Sequence, residues 1–199
     1  NSGFLDEAIT SLQRCIDIDP GYQNCRQHLA RAYMNKGDLV TAHRLHDESL
    51  QNRFYANSSA FVSTYVRSGQ RNLALLIADL TLGRADAPAI EWIRAIENPD
   101  GDNSSGFARL KDWESRTDTG RRLTTVPELL LSFRAYDELL TNPNGARTAL
   151  WHPDGDEFRT TPQFKAIIRQ VGIFDYWQAR GFPPQCKPVG DDDFECSRP

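Results

Sequence analysis

Three glycine-led segments recur along the chain at a spacing that few folds can accommodate: Gly3-Phe-Leu-Asp-Glu-Ala8, Gly37-Asp-Leu-Val-Thr-Ala42 and Gly69-Gln-Arg-Asn-Leu-Ala74. The glycines are 34 and then 32 residues apart, and the alanines keep the same phase. Tyr33 and Tyr65 each stand four residues before their glycine, preceded by Leu29-Ala30 and Phe61-Val62. A period of this length marks stacked supersecondary units, each too small to bury its own apolar face. Leu29, Ala30, Tyr33 and Leu39 fall at helical spacing and form one apolar stripe. Gly37 and Gly69 are placed to end a helix in a left-handed conformation, which costs a residue carrying Cβ more. Ala8, Ala42 and Ala74 are small where two helices of a unit cross closely.

A unit of two helices and 34 residues resembles the tetratricopeptide repeat. That resemblance implies an all-α fold, an α-α superhelix closed by a C-terminal helical, aromatic-rich cap. Asp19-Pro20 ends the first unit, because proline disfavours helix at the residue before it. That unit holds only its second helix, about Leu5 to Ile18. An uncovered half-repeat predicts that the native protein continues upstream with more repeats. Residues 1–86 therefore read as a half repeat plus two units. Residues 87–150 read as divergent helix pairs continuing the array. A helix over Ala87 to Ile96 carries Ile90, Ile93 and Ile96 with Trp92 beside them, and a turn cluster from Asn98 to Gly106 separates it from a helix through Leu110. Thr124-Thr125-Val126-Pro127 opens a further helix that reaches Leu140 with a break near Arg134.

Residues 151–199 have a different character. Thr160-Thr161-Pro162 caps a helix whose Phe164, Ile167, Ile168 and Val171 face inward, and Gly172 ends it. Trp151, Phe158, Phe164, Tyr176 and Trp177 are expected to seal the last apolar face of the array. The order Trp-x-Pro, Phe-Arg-x-x-Pro-x-Phe, Gly-Ile-x-x-Tyr-Trp and Gly-x-Pro-x-x-Cys, from Trp151 to Cys186, is similar to the C-terminus of repeat-containing sensor regions in bacterial signalling proteins. In these the repeats follow a winged-helix DNA-binding domain or an adenylate/guanylate cyclase-like domain, often with a membrane span between. The resemblance implies a non-catalytic protein–protein interaction or ligand-sensing region of a larger signalling or transcription-regulating protein, with its output domain elsewhere. The competing reading is a free-standing cytosolic repeat adaptor or chaperone-like scaffold.

Composition narrows the partners. The net charge is −4, from 23 Lys+Arg against 27 Asp+Glu, so a strongly basic nucleic-acid footprint is missing from this stretch. No apolar run approaches the roughly 20 residues of a membrane span, although the parent chain is expected to be membrane-anchored. In such arrays the first helix of each unit lines the concave face. The matching positions are Asn24, Gln27, Arg31, Met34 and Asn35 in one unit, and Ala56, Ser59, Ser63, Val66 and Arg67 in the next. Arg31 and Arg67 suit carboxylates, while Gln27 and Asn35 pair with peptide groups, so a protein or peptide partner is expected in that groove.

Catalytic, metal and cofactor readings are weaker. No serine sits in a nucleophile elbow and no phosphate-binding glycine loop occurs. His43 and His46 share a helix face but lack further ligands. Asp100-Gly-Asp102 and Asp154-Gly-Asp156 fit Asx-turns better than calcium loops. His152 stands near Asp154 and Asp156 with no nucleophile between them, and Asp137 and Glu138 face different sides of a helix. No catalytic residue, metal ligand or cofactor is assigned.

Four cysteines fall as two pairs ten residues apart, Cys15/Cys25 and Cys186/Cys196. The first pair brackets the Asp19-Pro20 turn between antiparallel helices, within the ~6 Å between Cα atoms that a disulfide prefers. The second brackets a tail with little core of its own, where a bridge would contribute about 3 kcal/mol by chain entropy. Disulfides imply an oxidising compartment, most simply a periplasm; four buried thiols would fit the cytoplasm. Thiol titration in denaturant without reductant is expected to find no free thiol in protein from its native compartment. Four free thiols would return the chain to the cytosolic reading.

Overall fold

Two of the recurring segments build the same turn. Asp38 N–H donates to Tyr33 C=O (3.0 Å) and Gly37 N–H to Met34 C=O (2.9 Å). One period later Gln70 N–H donates to Tyr65 C=O (2.9 Å) and Gly69 N–H to Val66 C=O (3.1 Å). These paired bonds satisfy the last carbonyls of a helix and require a left-handed residue between them. Gly37 and Gly69 supply it, at φ +88° and +79°. The next helix then starts at once, and its fourth residue, Ala42 or Ala74, is fully buried. The shared spacing of Tyr, Gly and Ala therefore encodes a helical hairpin.

The computed structural model describes residues 2–53, 58–83, 87–116 and 123–197. They form two compact units, one made of Asn1–Asn57 with Leu150–Pro199, the other of Ser58–Ala149. The chain is mostly helical, as expected. The three segments read from the sequence, 1–86, 87–150 and 151–199, are regrouped by this division, because the C-terminal segment shares its packing with the N-terminal helices.

In the first unit, α1 (Leu5–Ile18), α2 (Gln23–Asn35) and α3 (Leu39–Gln51) run in succession. Asp19 is extended, so α1 stops before Pro20. Cys15 and Cys25 are disulfide-bonded across that turn, with Cα atoms 6.2 Å apart. The C-terminal part contributes α11 (Pro162–Gln170), capped by Thr161 Oγ1, which accepts from Phe164 N–H at 3.3 Å, and α12 (Ile173–Arg180). A small hairpin of β1 (Cys186–Val189) and β2 (Asp193–Cys196) follows, closed by the Cys186–Cys196 disulfide. This hairpin departs from a purely helical reading.

Trp151, Phe158, Phe164, Phe174, Trp177 and Phe194 form the aromatic core of this unit, with all rings buried. Phe194, unremarked in the sequence, anchors the tail: its ring meets Trp177 edge-on at 5.3 Å and Phe164 at 6.2 Å. Tyr176 is not in that core. It stands 39% exposed and lies edge-on against Phe4 at 6.0 Å. Residues 2–7 are clasped by the same segment. Trp177 Nε1–H donates to Ser2 C=O and Gln185 Nε2–H to Gly3 C=O, both at 2.8 Å. Arg180 pairs with Glu7 at 2.6 Å. A Cβ on Gly3 would lie 2.9 Å from Trp151, so this glycine is needed for space as well as for its φ of +94°. The C-terminal segment, expected to seal the last repeat, is thus engaged with the first helices.

The second unit holds α4 (Val62–Arg67), α5 (Arg71–Leu82), α6 (Ala89–Glu97), α7 (Ser104–Arg116), α8 (Pro127–Ser132), α9 (Tyr136–Leu140) and the short α10 (Pro143–Ala146). A 3-10 turn, Ser58–Phe61, extends α4 at its start. The turn cluster after α6 ends at Ser104, earlier than Gly106, because Asp102 Oδ1 accepts from Ser104 N–H and starts the helix there. The break expected near Arg134 is a third copy of the glycine turn. Arg134 N–H donates to Leu131 C=O (3.0 Å) and Ala135 N–H to Leu130 C=O (2.9 Å), with Arg134 itself at φ +53°. Its side chain pairs with Asp100 at 3.0 Å.

A Cβ at Gly37 or Gly69 would meet nothing within 4 Å, so substitution there tests backbone conformation alone. Gly37→Ala and Gly69→Ala are each expected to lower stability by about 1–2 kcal/mol in urea unfolding. Arg134→Gly relieves the same strain, while the exposed ion pair with Asp100 is worth about 0–1 kcal/mol, so the substitution should cost far less than the glycine replacements. A marked loss on Arg134→Gly would contradict the common-turn reading.

Candidate functional site

The helical repeat places His28, Arg31 and Asn35 along one side of α2, and Leu5, Ala8 and Leu12 along one side of α1. In the first unit these rows line a pocket of about 280 Å³ together with Ser11, Ala32 and Trp151. A second pocket of about 350 Å³ shares Asn35 and Trp151 and is lined by Met34, Gly37, Leu39, Pro153 and Arg159. Leu39, expected within the apolar stripe, stands 37% exposed at this second pocket.

The smaller pocket is apolar on one side and cationic on the other. Arg31 is 7% exposed and Asn35 8% exposed. No acidic side chain occurs among the described residues lining it. Desolvation, followed by the neighbouring Arg31 charge, lowers the pKa of His28 from its ordinary value. The Asn35 side-chain oxygen is buried with no hydrogen-bond partner among the described residues. An amide oxygen left in that state costs about 1–3 kcal/mol.

Trp151 is held from behind. Its ring lies edge-on to Phe164 at 6.0 Å and 6.4 Å from Trp177. The loop that carries it is pinned by Arg159, 2% exposed, which donates to the carbonyls of Leu150 and His152 at 3.1 Å each and pairs with Asp156. A fully buried guanidinium is tolerated only when so engaged. His152 belongs to the same loop: its Nδ1 accepts from Asp154 N–H at 3.2 Å and caps a 3-10 turn.

The ten groove positions expected from the repeat pattern are divided between the units. Arg31 and Asn35 are brought together at the pocket. Gln27 is 1% exposed and Met34 fully buried, so neither presents an open binding face. Asn24 is half-buried and donates to the Tyr22 hydroxyl at 3.3 Å. In the second unit, Ser63 is buried, Arg67 is exposed, Val66 is half-buried, and Ser59 donates to the buried Glu128 carboxylate at 3.4 Å. Ala56 lies outside the described residues. The burial of Gln27 and Ser63 corrects the reading of those positions as an open inner face. Their helices are packed on two sides here, whereas an inner-face helix leaves one side to solvent.

Other polar groups have structural partners. Glu91, 7% exposed, receives both arms of Arg109 (3.1 and 2.8 Å) and Arg94 at 3.0 Å, which together hold its carboxyl below the usual range. Glu138 pairs with Lys111 at 3.2 Å. Asp193 pairs with Lys165 (2.7 Å) and Arg169 (3.0 Å), and Lys165, the Phe194 backbone N–H and Arg169 together hold its pKa down at about 2. No group of three or more His, Cys, Asp or Glu suited to a metal occurs among the described residues. No helix among them is long and apolar enough to cross a membrane.

Sequence reasoning missed Ser11, His28 and Trp151. The first two could have been found by pairing the facing rows of α1 and α2. Nothing local indicates Trp151, which arrives from more than 100 residues away. No protein-family model, curated protein or solved structure matches this chain.

His46 is fully buried on α3, and burial, assisted by nearby His43, pushes its pKa down to about 3. Its folded value lies below its unfolded value, so its contribution to stability is complete above pH ~6.5 and is lost as pH falls toward 3. Urea unfolding is expected to show a stability loss from this group approaching about 1.4 kcal/mol per pH unit between those limits. His46→Phe should flatten that slope by close to one proton; an unchanged slope would mean that His46 does not titrate in this way.

Proposed function

We propose that this chain is a non-catalytic ligand-sensing and protein-interaction module. It is the regulatory part of a larger bacterial signalling protein, with its helix pairs stacked as in tetratricopeptide arrays. The observation that carries this is the repeated turn: Tyr33–Gly37–Asp38 and Tyr65–Gly69–Gln70 make matching bonds one period apart and lead into matching buried alanines. Repeated helical hairpins of this size serve as docking scaffolds, because stacking them creates continuous surface without specialised chemistry. His152 and Asp154 form a turn cap, Asp156 pairs with Arg159, and Glu138 pairs with Lys111. The pocket beside α1 and α2 has an apolar wall of Leu5, Ala8, Leu12 and Trp151 suited to a small ligand.

Covalent chemistry supports a reading of location. Both cysteine pairs are bridged, and disulfides persist in oxidising compartments. The reading is an extracytoplasmic, periplasmic region of a membrane-anchored parent.

The test is a thermal-unfolding screen of the oxidised chain against small acids, sugars, nucleotides and short peptides. Saturable stabilisation by at least one compound, recovered chemically unchanged, is expected, because a ligand bound only by the folded state raises Tm by mass action. A compound that is consumed would overturn the non-catalytic reading. A screen with no stabilising compound, together with wild-type output from the parent protein bearing Arg31→Gln, would overturn the sensing reading.

A further inference from the structure

We propose that the outer face of α5 pairs two copies of this chain, with the two helices antiparallel about a two-fold axis at Leu76. This pairing belongs to the second unit and does not depend on what the pockets of the first unit bind.

The internal repeat supplies its own control. Two and six residues after Ala8, Ala42 and Ala74 stand Thr10 and Arg14 in α1, Arg44 and Glu48 in α3, and Leu76 and Leu80 in α5. Thr10 and Arg14 are exposed, and Arg44 and Glu48 form an ion pair at 2.6 Å, as suits a solvated helix surface. In α5 the same positions are leucines, 55% and 50% exposed. Leu73, one turn before Leu76, is half-buried. The other side of α5 buries Ala74, Ile77, Ala78 and Leu82. The helix is therefore apolar nearly all round, whereas a helix at a solvated surface keeps one polar face. Among the three equivalent helices, α5 alone has exchanged that polar face for leucines.

The arrangement of the face selects its occupant. Leu73, Leu76 and Leu80 are spaced by three and then four residues, the a–d–a seam of a paired helix. Asn72 and Asp79 flank one side of that seam, seven residues apart. The midpoints of 73 with 80 and of 72 with 79 each fall half a residue from 76, which is under about 1 Å along the helix axis. An antiparallel two-fold at Leu76 therefore sets Leu73 against Leu80 of the second copy, and Asn72 against its Asp79. This match of a surface with itself is what an isologous contact requires. Asp79 is half-buried beside the leucines, and desolvation raises its pKa. Its carboxyl has no hydrogen bond or ion pair among the described residues. The exposed Asn72 amide of the second copy supplies the donor that it lacks. A helix of this length spans about 18 Å, so a contact confined to it buries less than the roughly 800 Å² per partner of a standard interface. The pairing is accordingly weak and reversible, in the micromolar to millimolar range.

The experiment is sedimentation equilibrium on the oxidised full chain, from low micromolar to near-millimolar concentration. The mass is expected to rise from 22.5 kDa toward twice that value. Leu76→Arg combined with Leu80→Glu installs the residue types that α3 carries at the matching positions, and should weaken association at least about tenfold. Two single changes test the register. Asn72→Lys places an ammonium opposite Asp79 of the second copy, twice per dimer, and should tighten association about three- to tenfold; Asn72→Asp should weaken it by a similar factor. Circular dichroism and Tm identify a double variant that fails to fold, in which case the two exposed Asn72 changes decide. A chain that stays monomeric at every concentration would overturn the proposal. So would association that the folded double variant leaves unchanged, or that Asn72→Lys and Asn72→Asp affect alike. Binding of an unrelated leucine-ridged helical peptide by a chain that remains monomeric would also overturn it, in favour of a foreign helix. None of these results bears on ligand-induced stabilisation of the first unit, so the sensing reading stands or falls separately.

Discussion

The first unit depends on Trp177. Its ring packs among Trp151, Phe182 and Phe194, and its indole N–H reaches the Ser2 carbonyl at 2.8 Å. A buried indole must find an acceptor, and the acceptor here lies 175 residues away in sequence. That single requirement brings the start of α1, the Trp151 loop and the disulfide-closed tail hairpin to one place. The tail could not order itself: with two strands of four residues it is below the size at which a hairpin is stable alone. Phe194 supplies the core that the hairpin lacks, while the Cys186–Cys196 bridge and the Asp193 ion pairs limit its freedom.

Buried polar groups are accommodated here in more than one way. Arg159 and Glu91 are nearly inaccessible, and each is surrounded by the hydrogen bonds that make burial of charge tolerable. His46 is accommodated differently, by giving up its charge. Asn35 has neither remedy among the described residues, and it borders both pockets beside Trp151.

Local chemistry was legible where it is periodic or stereochemical. Helix α1 runs from Leu5 to Ile18 as its apolar spacing requires, Asp19-Pro20 ends it, and Thr161 caps α11. The break at Arg134 was readable as a break. That it is a third glycine-type turn was not, because an arginine occupies the left-handed position and the local signal is lost. The candidate site was half legible. Arg31 and Asn35 follow from repeat position, but Gln27 and Ser63 from the same rule are buried, since the rule assumes an open inner face.

By itself, the sequence determined the helical hairpins and the cysteine pairing. Both depend on interactions within about one repeat: backbone bonds around a left-handed residue, and two thiols carried to either side of one short turn. Only the tertiary structure decided that residues 150–199 share a unit with residues 1–57, that Phe194 rather than Tyr176 enters the aromatic core, and that Trp151 closes a pocket against Arg31 and Asn35. Those contacts join segments more than 100 residues apart. Apolar burial is non-directional, so nothing local in an aromatic-rich tail specifies which greasy face it will cover.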